Sequence, residues 1–326
     1  VSDPHASSAD TTAHRPDTVA DRTGTPSEGR FTEAAMTAAM RQIAETLHAP
    51  AADARLLRLT NNAVFALPAA GMVIRITRSF GLHARVRKVV QLGTWFETVD
   101  APTIRLAPDI EQPIEVDGLL ASVWRYLPRT DPAPDLTDLG AVLHRFHDLG
   151  APPFELPAWD PVGDARTRLD DAEALPTADR DALLHWCDDL APRIDGLKAR
   201  TPPGLVHGDA HVGNLLRAAD GQVVLCDFDP TCLGPWQVDL VAVAVGEARF
   251  RRPGAHQALA AAYGYDVTTD ADWPLLREAR ELKMVAAAVP LLASAPGVAE
   301  EFRIRLDSVV HGDANARWTP FADLRS

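Results

Sequence analysis

Leu205-Val206-His207-Gly208-Asp209-Ala210-His211-Val212-Gly213-Asn214 is the stretch on which the reading of this 326-residue chain turns, together with Val224-Leu225-Cys226-Asp227-Phe228-Asp229 downstream. Between the two, Asp220-Gly221 separates a pair of apolar runs, a strong hairpin-turn signal. A hairpin over 215–225 folds the chain back on itself, so Asp227 is predicted to face Asn214. His-Gly-Asp or Asp-Phe-Asp alone is an ordinary turn sequence. Their order and separation carry the information. The chain also supplies a control, His311-Gly312-Asp313-Ala314-Asn315. There the Asn follows the Asp by two residues instead of five and no hairpin follows, so this copy is read as a helix terminus.

Outward from this segment the pattern divides in two. Residues 31–127 open with a helical stretch, FTEAAMTAAMRQIAETLH, and then change period. Short β-type runs at 55–59, 63–67 and 72–77 are followed by a helix over 83–98 and by strands near 103–106 and 119–124. The breaker Pro128-Arg129-Thr130-Asp131-Pro132-Ala133-Pro134-Asp135 comes next. From 128 to 326 the pattern is mainly helical, with helices over 136–149, 164–174, 178–199, 238–249, 255–263, 275–292 and 299–310. Residues 1–30, rich in Ser, Thr, Asp, Pro and Gly, read as a disordered leader. The expected fold class is α+β: a small antiparallel-sheet N-terminal lobe joined to a larger, mainly helical C-terminal lobe.

Composition narrows the function. The formal net charge is −13, which argues against nucleic acid as a partner, because phosphate backbones need clustered Lys and Arg. No stretch approaches the ~20 unbroken apolar residues of a membrane span. The first residues have no apolar core of the signal-peptide type, and three cysteines (Cys187, Cys226, Cys232) show no ligand-like spacing. A cytoplasmic location without membrane partner is therefore expected. The acid is unevenly placed: residues 128–326 hold 31 acids against 19 bases, which is −12, whereas 31–127 carry nine against ten.

His207, Asp209 and Asn214 have the His-x-Asp-x-x-x-x-Asn spacing of a phosphoryl-transfer loop, and Asp227 begins an Asp-Phe-x motif. Such chemistry needs a carboxylate beside an acceptor hydroxyl and, opposite it, oxygen ligands that hold Mg²⁺ against a triphosphate. These segments, with Gly234-Pro235-Trp236-Gln237-Val238-Asp239-Leu240, resemble the aminoglycoside phosphotransferase and choline kinase family of the protein-kinase-like fold. The resemblance covers about residues 50–320. It implies Asp209 as catalytic base, His207 as a catalytic-loop support, Asn214 and Asp227 as metal ligands, and Asp239 as a brace from the following helix. It implies ATP or GTP as co-substrate with Mg²⁺, and a small-molecule hydroxyl as acceptor.

Met72-Val73-Ile74-Arg75-Ile76 resembles the family's phosphate-binding strand, with Arg75 in place of Lys, and Thr60-Asn61-Asn62-Ala63-Val64-Phe65 its phosphate turn, with Asn62 as contact. Trp124 and Tyr126, at the lobe junction, are candidates for packing near the nucleotide base. The ion-pair Glu expected on the next helix is missing, since 83–98 holds only Glu97 near its end. Residues 151–200 carry eleven acids, including Asp164, Asp170, Asp171 and Glu173, against six bases, a wall that would suit a cationic acceptor. The reading is an antibiotic O-phosphotransferase, with a metabolic kinase for an amino alcohol, homoserine or sugar as one alternative. A nucleotide-binding pseudoenzyme is the other. The oligomeric state has no signature in the sequence.

Overall fold

The computed structural model describes residues 31–59, 62–78, 80–293 and 295–324. The leader and two residues of the phosphate turn, Thr60 and Asn61, lie outside the described residues. The N-terminal part begins with helix α1 (Glu33–Thr46), capped by the Thr32 hydroxyl, which accepts from the Ala35 amide at 3.2 Å. Strands β1 (Arg55–Leu59), β2 (Asn62–Leu67) and β3 (Met72–Thr77) follow, then helix α2 (His83–Thr98), β4 (Ile114–Val116) and β5 (Leu119–Arg125). They form one antiparallel sheet in the order β1-β2-β3-β5-β4. Gly71, at φ 64°, closes the β2–β3 connection in the left-handed region that its lack of Cβ permits.

Strand alternation sorts the two faces of this sheet. Phe65, Leu67, Ile74, Ile76, Ala121 and Val123 share one buried cluster with Met36, Met40 and Ile43 of α1. Arg75 lies on the opposite face, in register with Val64 on β2 and Ser122 on β5. That face is turned toward the helical part, so period-2 alternation places a guanidinium over the cleft.

The strand expected near 103–106 is not a sheet strand. Thr103 and Leu106 make only single bridges, to Leu225 and Trp124. Pro102 and Pro108 flank the segment and cannot donate to a ladder. The segment instead crosses between the two parts of the molecule, with the Ile104 amide donating to the Leu225 carbonyl at 2.9 Å. Strand β4 was not anticipated, because three residues show no readable alternation.

The C-terminal part runs α3 (Leu136–His147), α4 (Pro161–Asp170), α5 (Thr177–Arg200), β6 (Gly204–Val206), β7 (Leu215–Arg217), β8 (Val223–Leu225), β9 (Cys232–Gly234), α6 (Gln237–Phe250), α7 (Ala255–Tyr263), α8 (Trp273–Ala286) and α9 (Pro296–Val310). Helix α3 starts in a capping box of Asp135 and Asp138. Helix α4 starts three residues before its predicted position, because Pro161 sits at its first turn behind the capping Asp160. The single helix predicted over 275–292 ends at Ala286; Pro290 limits the continuation to a short 3₁₀ turn. The predicted hairpin forms as β7 and β8, with Leu215 opposite Leu225. The short β6–β9 ladder was missed for the same reason as β4. No helix among the described residues is long and apolar enough to cross a membrane.

The two parts meet at an aromatic cluster centred on Phe228, which is 1% exposed. Its ring centroid lies 4.9 Å from Phe96 of α2, 6.1 Å from Trp124 of β5 and 5.7 Å from His207. Burying such a ring contributes about 1.5–3 kcal/mol. The energetic consequence is local and specific: the loop bearing Asp227 is anchored by its own next residue to the sheet, to α2 and to the catalytic loop.

Candidate active site

The loop after β6 is built around one buried acid. Asp239, in the first turn of α6 and 1% exposed, accepts the amides of His207 at 2.7 Å and Gly208 at 2.8 Å. Its Oδ2 also takes His147 Nε2 at 3.0 Å, and Tyr263 lies 2.9 Å from His147 Nδ1. Burial pushes the Asp239 carboxyl up, but the His147 hydrogen bond and the nearby imidazoles outweigh it and hold it below the ordinary value. Asp239 thus reaches the catalytic loop as a fixed anion. Gly208, at φ 81°, is required where it stands: a Cβ there would lie 2.4 Å from the Pro230 carbonyl oxygen.

His207 does not reach the cleft. It is fully buried, with Nε2 donating to the Cys226 carbonyl at 3.0 Å and Nδ1 accepting from the Asp209 amide at 3.3 Å. These partners assign its tautomer and make it a positioning residue that ties the two loops together. Asn214 is held the same way. Its side-chain amide donates to the Asp209 carbonyl at 3.0 Å, and its own carbonyl accepts from the Cys226 amide at 2.9 Å. The hairpin therefore brings Asp227 to Asn214 by a backbone bond one residue away.

Asp227 stands at φ 71°, an uncommon conformation for a residue with a Cβ, of the kind that functional sites maintain. Two guanidiniums converge on its carboxylate, Arg75 at 3.1 Å and Arg58 at 3.4 Å. Arg75 also binds Asp229 at 2.6 Å, and the Asn62 side chain donates to the same Asp229 oxygen at 3.2 Å. Arg75 and Asn62, the two candidates for phosphate contact, are thus both engaged by the Asp-Phe-Asp loop. The partner of Arg75 is the surprise. No acid comes from α2; the counter-charge is Asp229, two residues after Asp227. Helix α2 contributes the opposite sign, with Lys88 Nζ donating to the Asp229 and Thr231 carbonyls at 2.6 and 2.7 Å. Glu97 pairs elsewhere, with Arg125 at 3.1 Å.

Whether this site suits Mg²⁺ follows from its donors. Asp227 and Asn214 are hard oxygen donors of the kind Mg²⁺ takes, and Arg75 and Arg58 now sit one on each oxygen of the Asp227 carboxylate, where an ion would replace them. Among the described residues no group of three or more His, Cys, Asp or Glu is arranged around a common point. Two protein oxygens match an ion that shares its remaining positions with phosphate and water. The residues fit.

Asp209 faces the other way. Arg280 Nη1 lies 3.4 Å and Lys283 Nζ 3.5 Å from its Oδ1, and His211 Nε2 lies 3.8 Å from Oδ2. Burial raises the Asp209 pKa, but Lys283 and Arg280 more than reverse this, so the group sits well below the usual carboxylate range. It is an anion at any working pH: able to align a hydroxyl, and a weak base until that hydroxyl has begun to react.

The remaining candidates separate. Trp124 is a core residue, 3% exposed, with its indole N–H on Ser122 Oγ at 2.9 Å and its ring against Gly93 and Phe228. It has no free face for a base. Tyr126 is half-buried, its hydroxyl accepting from Arg55 at 3.3 Å. The acidic wall is mostly outside: Asp164, Asp170, Asp171 and Glu173 are exposed, and Asp188 is paired with Arg166. Five residues at the site went unread in the sequence: Arg58, Lys88, His147, Arg280 and Lys283. Only Asp239, an acid inside the apolar run Val238–Val245, hinted that a buried partner such as His147 had to exist.

Similarities to known proteins follow the same geometry. Residues 53–282 match the model of a phosphotransferase enzyme family. Among solved structures, the fold resembles a microcompartment-associated aminopropanol kinase, at 18% identity and TM-score 0.62, over 86% of this chain and 99% of that one. It also resembles an aminoglycoside phosphotransferase in complex with GDP and kanamycin, at 17% identity and TM-score 0.59, over 84% and 98%. A choline kinase from Streptococcus pneumoniae aligns at 12% identity and TM-score 0.59, over 84% and 99%. No curated protein sequence matches.

Proposed function

The chain belongs to the phosphotransferase enzyme family, and we propose that it moves the γ-phosphoryl group of ATP or GTP to a hydroxyl of a small molecule. The observation that carries this reading is the division of the cleft. Asp209 is an anion held by two cations of α8 on one side, and Asn214 with Asp227 forms an oxygen-donor pair on the other, both loops tied together through His207 and Asp239. Asp209 aligns the acceptor hydroxyl and takes its proton as the new P–O bond forms. Asn214 and Asp227 would hold Mg²⁺, which supplies charge neutralisation at the phosphates. Arg75 would turn from Asp227 and Asp229 toward the non-transferred phosphates, with Asn62 at the phosphate turn, and Tyr126, half-buried at the lobe junction, would pack near the base. The transition state of such a transfer is loose, so alignment and charge neutralisation supply most of the acceleration.

In this scheme residues 31–127 are the nucleotide-binding lobe and 128–326 the catalytic and acceptor-binding lobe. Both an antibiotic-modifying role and a metabolic one are compatible with it, and the solved neighbours include enzymes named for each. The exposure of Asp170, Asp171 and Glu173 favours the metabolic branch, because the wall expected for a polycationic antibiotic is turned to solvent. The intact set Asp209, Asn214 and Asp227 supports an enzyme rather than a pseudoenzyme. The test is ³¹P NMR of purified protein with Mg²⁺, ATP or GTP and a panel of hydroxyl compounds. A new phosphate monoester that disappears with Asp209→Asn is expected. If calorimetry finds no nucleotide binding and no acceptor is modified, the proposal fails.

A further inference from the structure

Resting on the phosphotransferase reading and deepening it, we infer that the acceptor is an anion, carrying a carboxylate or phosphate beside its reacting hydroxyl, and that Arg280 and Lys283 receive that charge. Both cations come from α8, whereas Arg58, Arg75 and Asn62 approach from the sheet. Asp209 is met only by the α8 pair and His211. The sheet-side cations are met by Asp227 and Asp229; the α8 pair shares one carboxylate, at distances of 3.4 and 3.5 Å that leave most of their donors uncommitted.

The state of Arg280 makes this specific. Its Nε–H is buried and has no hydrogen-bond partner. Arg277, one turn earlier on the same helix, places its own Nε 2.9 Å from Glu281. A buried donor left unpaired is unfavourable, and a ligand oxygen drawn to this guanidinium relieves that. Lys283 is meanwhile locked in place by the Gly208 carbonyl at 2.7 Å, with its ammonium still facing Asp209. Burial and then Arg280 lower the Lys283 pKa, while Asp209 and the exposed Asp164 of α4 act in the opposite direction and favour its ammonium. His211, the remaining titratable neighbour, is pushed toward its neutral form by burial, so the fixed positive charge at this end of the cleft comes from α8.

A primary amine brought to Asp209 would meet two like charges in a half-buried cleft, an arrangement that costs several kcal/mol. An anionic acceptor meets the reverse. Its charged end pairs with Arg280 and Lys283, and its hydroxyl, two or three bonds away, is left at Asp209. The guanidinium's planar fork suits either a carboxylate or a phosphate.

The test uses the full chain with Mg²⁺ and ATP or GTP. Glycerate and glucose 6-phosphate are the anionic probes, one for each source of charge, and ethanolamine and kanamycin the cationic ones. Calorimetric binding and turnover of at least one anion are expected, with no turnover of either cation. Arg280→Ala should raise the acceptor KM roughly 10- to 100-fold, as expected for a lost charge-assisted pair. Arg280→Lys should recover part of that loss, while the nucleotide KM moves less than about twofold. Lys283→Met is the second variant, with a thermal melt confirming that both proteins fold. The inference is overturned if neither anion binds, if a cationic probe is turned over, or if the variants raise the nucleotide KM instead. Nucleotide binding separates the two levels: without it the phosphotransferase reading itself fails, whereas nucleotide binding with transfer only to ethanolamine or kanamycin sinks this inference alone.

Discussion

Arg280 and Glu281 are neighbours on α8, yet they belong to ion networks built on opposite terms. Glu281, 7% exposed, accepts Arg249 and Arg277, each at 2.9 Å. Arg249 goes on to the Asp313 and Ala316 carbonyls and lies 4.4 Å from the Trp318 ring centroid. Arg305 repeats the design, with Glu301 at 2.8 Å, the Met284 and Thr319 carbonyls, and the Phe321 ring at 3.8 Å. In that region the buried charges are closely paired, and the segment after α9 is strapped to the helices as a result. One residue away, Arg280 and Lys283 hold a carboxylate loosely and keep donors in reserve. Saturated charge stabilises a fold, and unsaturated charge is what a ligand can complete.

The largest effect should come from Asp209→Asn, which keeps the shape and removes the anion. A loss of about 10²- to 10⁴-fold in kcat is expected, with the thermal midpoint little changed. A variant that kept more than a tenth of wild-type kcat would break the contrast between the two networks. Arg249→Ala should do the opposite. Removing one partner of a buried pair costs about 3–5 kcal/mol, so the melting temperature falls while kcat per folded molecule is retained. Asp239→Asn tests the link between the regions. It presents an N–H₂ where two amides and His147 need an acceptor, and should cost about 1–3 kcal/mol and lower kcat by roughly tenfold.

A pH profile sharpens the same point. The Asp209 pKa is depressed, so its active anion is present above the ordinary carboxylate range and is lost only as pH falls through its lowered value. The kcat/KM profile should therefore show no acid limb from this group between pH 5 and 8. Replacing Lys283 and Arg280 together should move that limb upward, because they are the main downward influences. The smallest effect belongs to the exposed acids. Asp170→Asn or Glu173→Gln should change stability by less than about 0.5 kcal/mol and acceptor KM by less than about twofold. A larger rise in KM would restore the acidic wall as a binding surface.

Much of the site was legible because its chemistry is local in sequence. His207, Asp209, Asn214 and Asp227 lie within 21 residues, and a hairpin with an Asp-Gly turn is enough to fold them together. Strands β2 and β3 and helix α2 were legible too, because six to sixteen residues allow periodicity to show. What escaped was short or distant. Strands β4, β6 and β9 have three residues each, and Lys88, His147, Arg280 and Lys283 reach the loops from helices far off in the chain. Trp124 was misplaced because a large aromatic at a lobe junction has the same sequence signature whether it faces a ligand or the core.

The sequence by itself determined which candidate groups come together, since spacing along one loop and one hairpin decides which oxygens can face each other. It also determined that the helical part carries the excess acid. Only the tertiary structure decided where that charge acts: Asp170, Asp171 and Glu173 are turned to solvent, and two cations of α8 to Asp209. The physical reason is distance. Net charge is a sum over the chain, but a substrate responds to the few charges within several ångströms in a half-buried cleft, where screening is weakest.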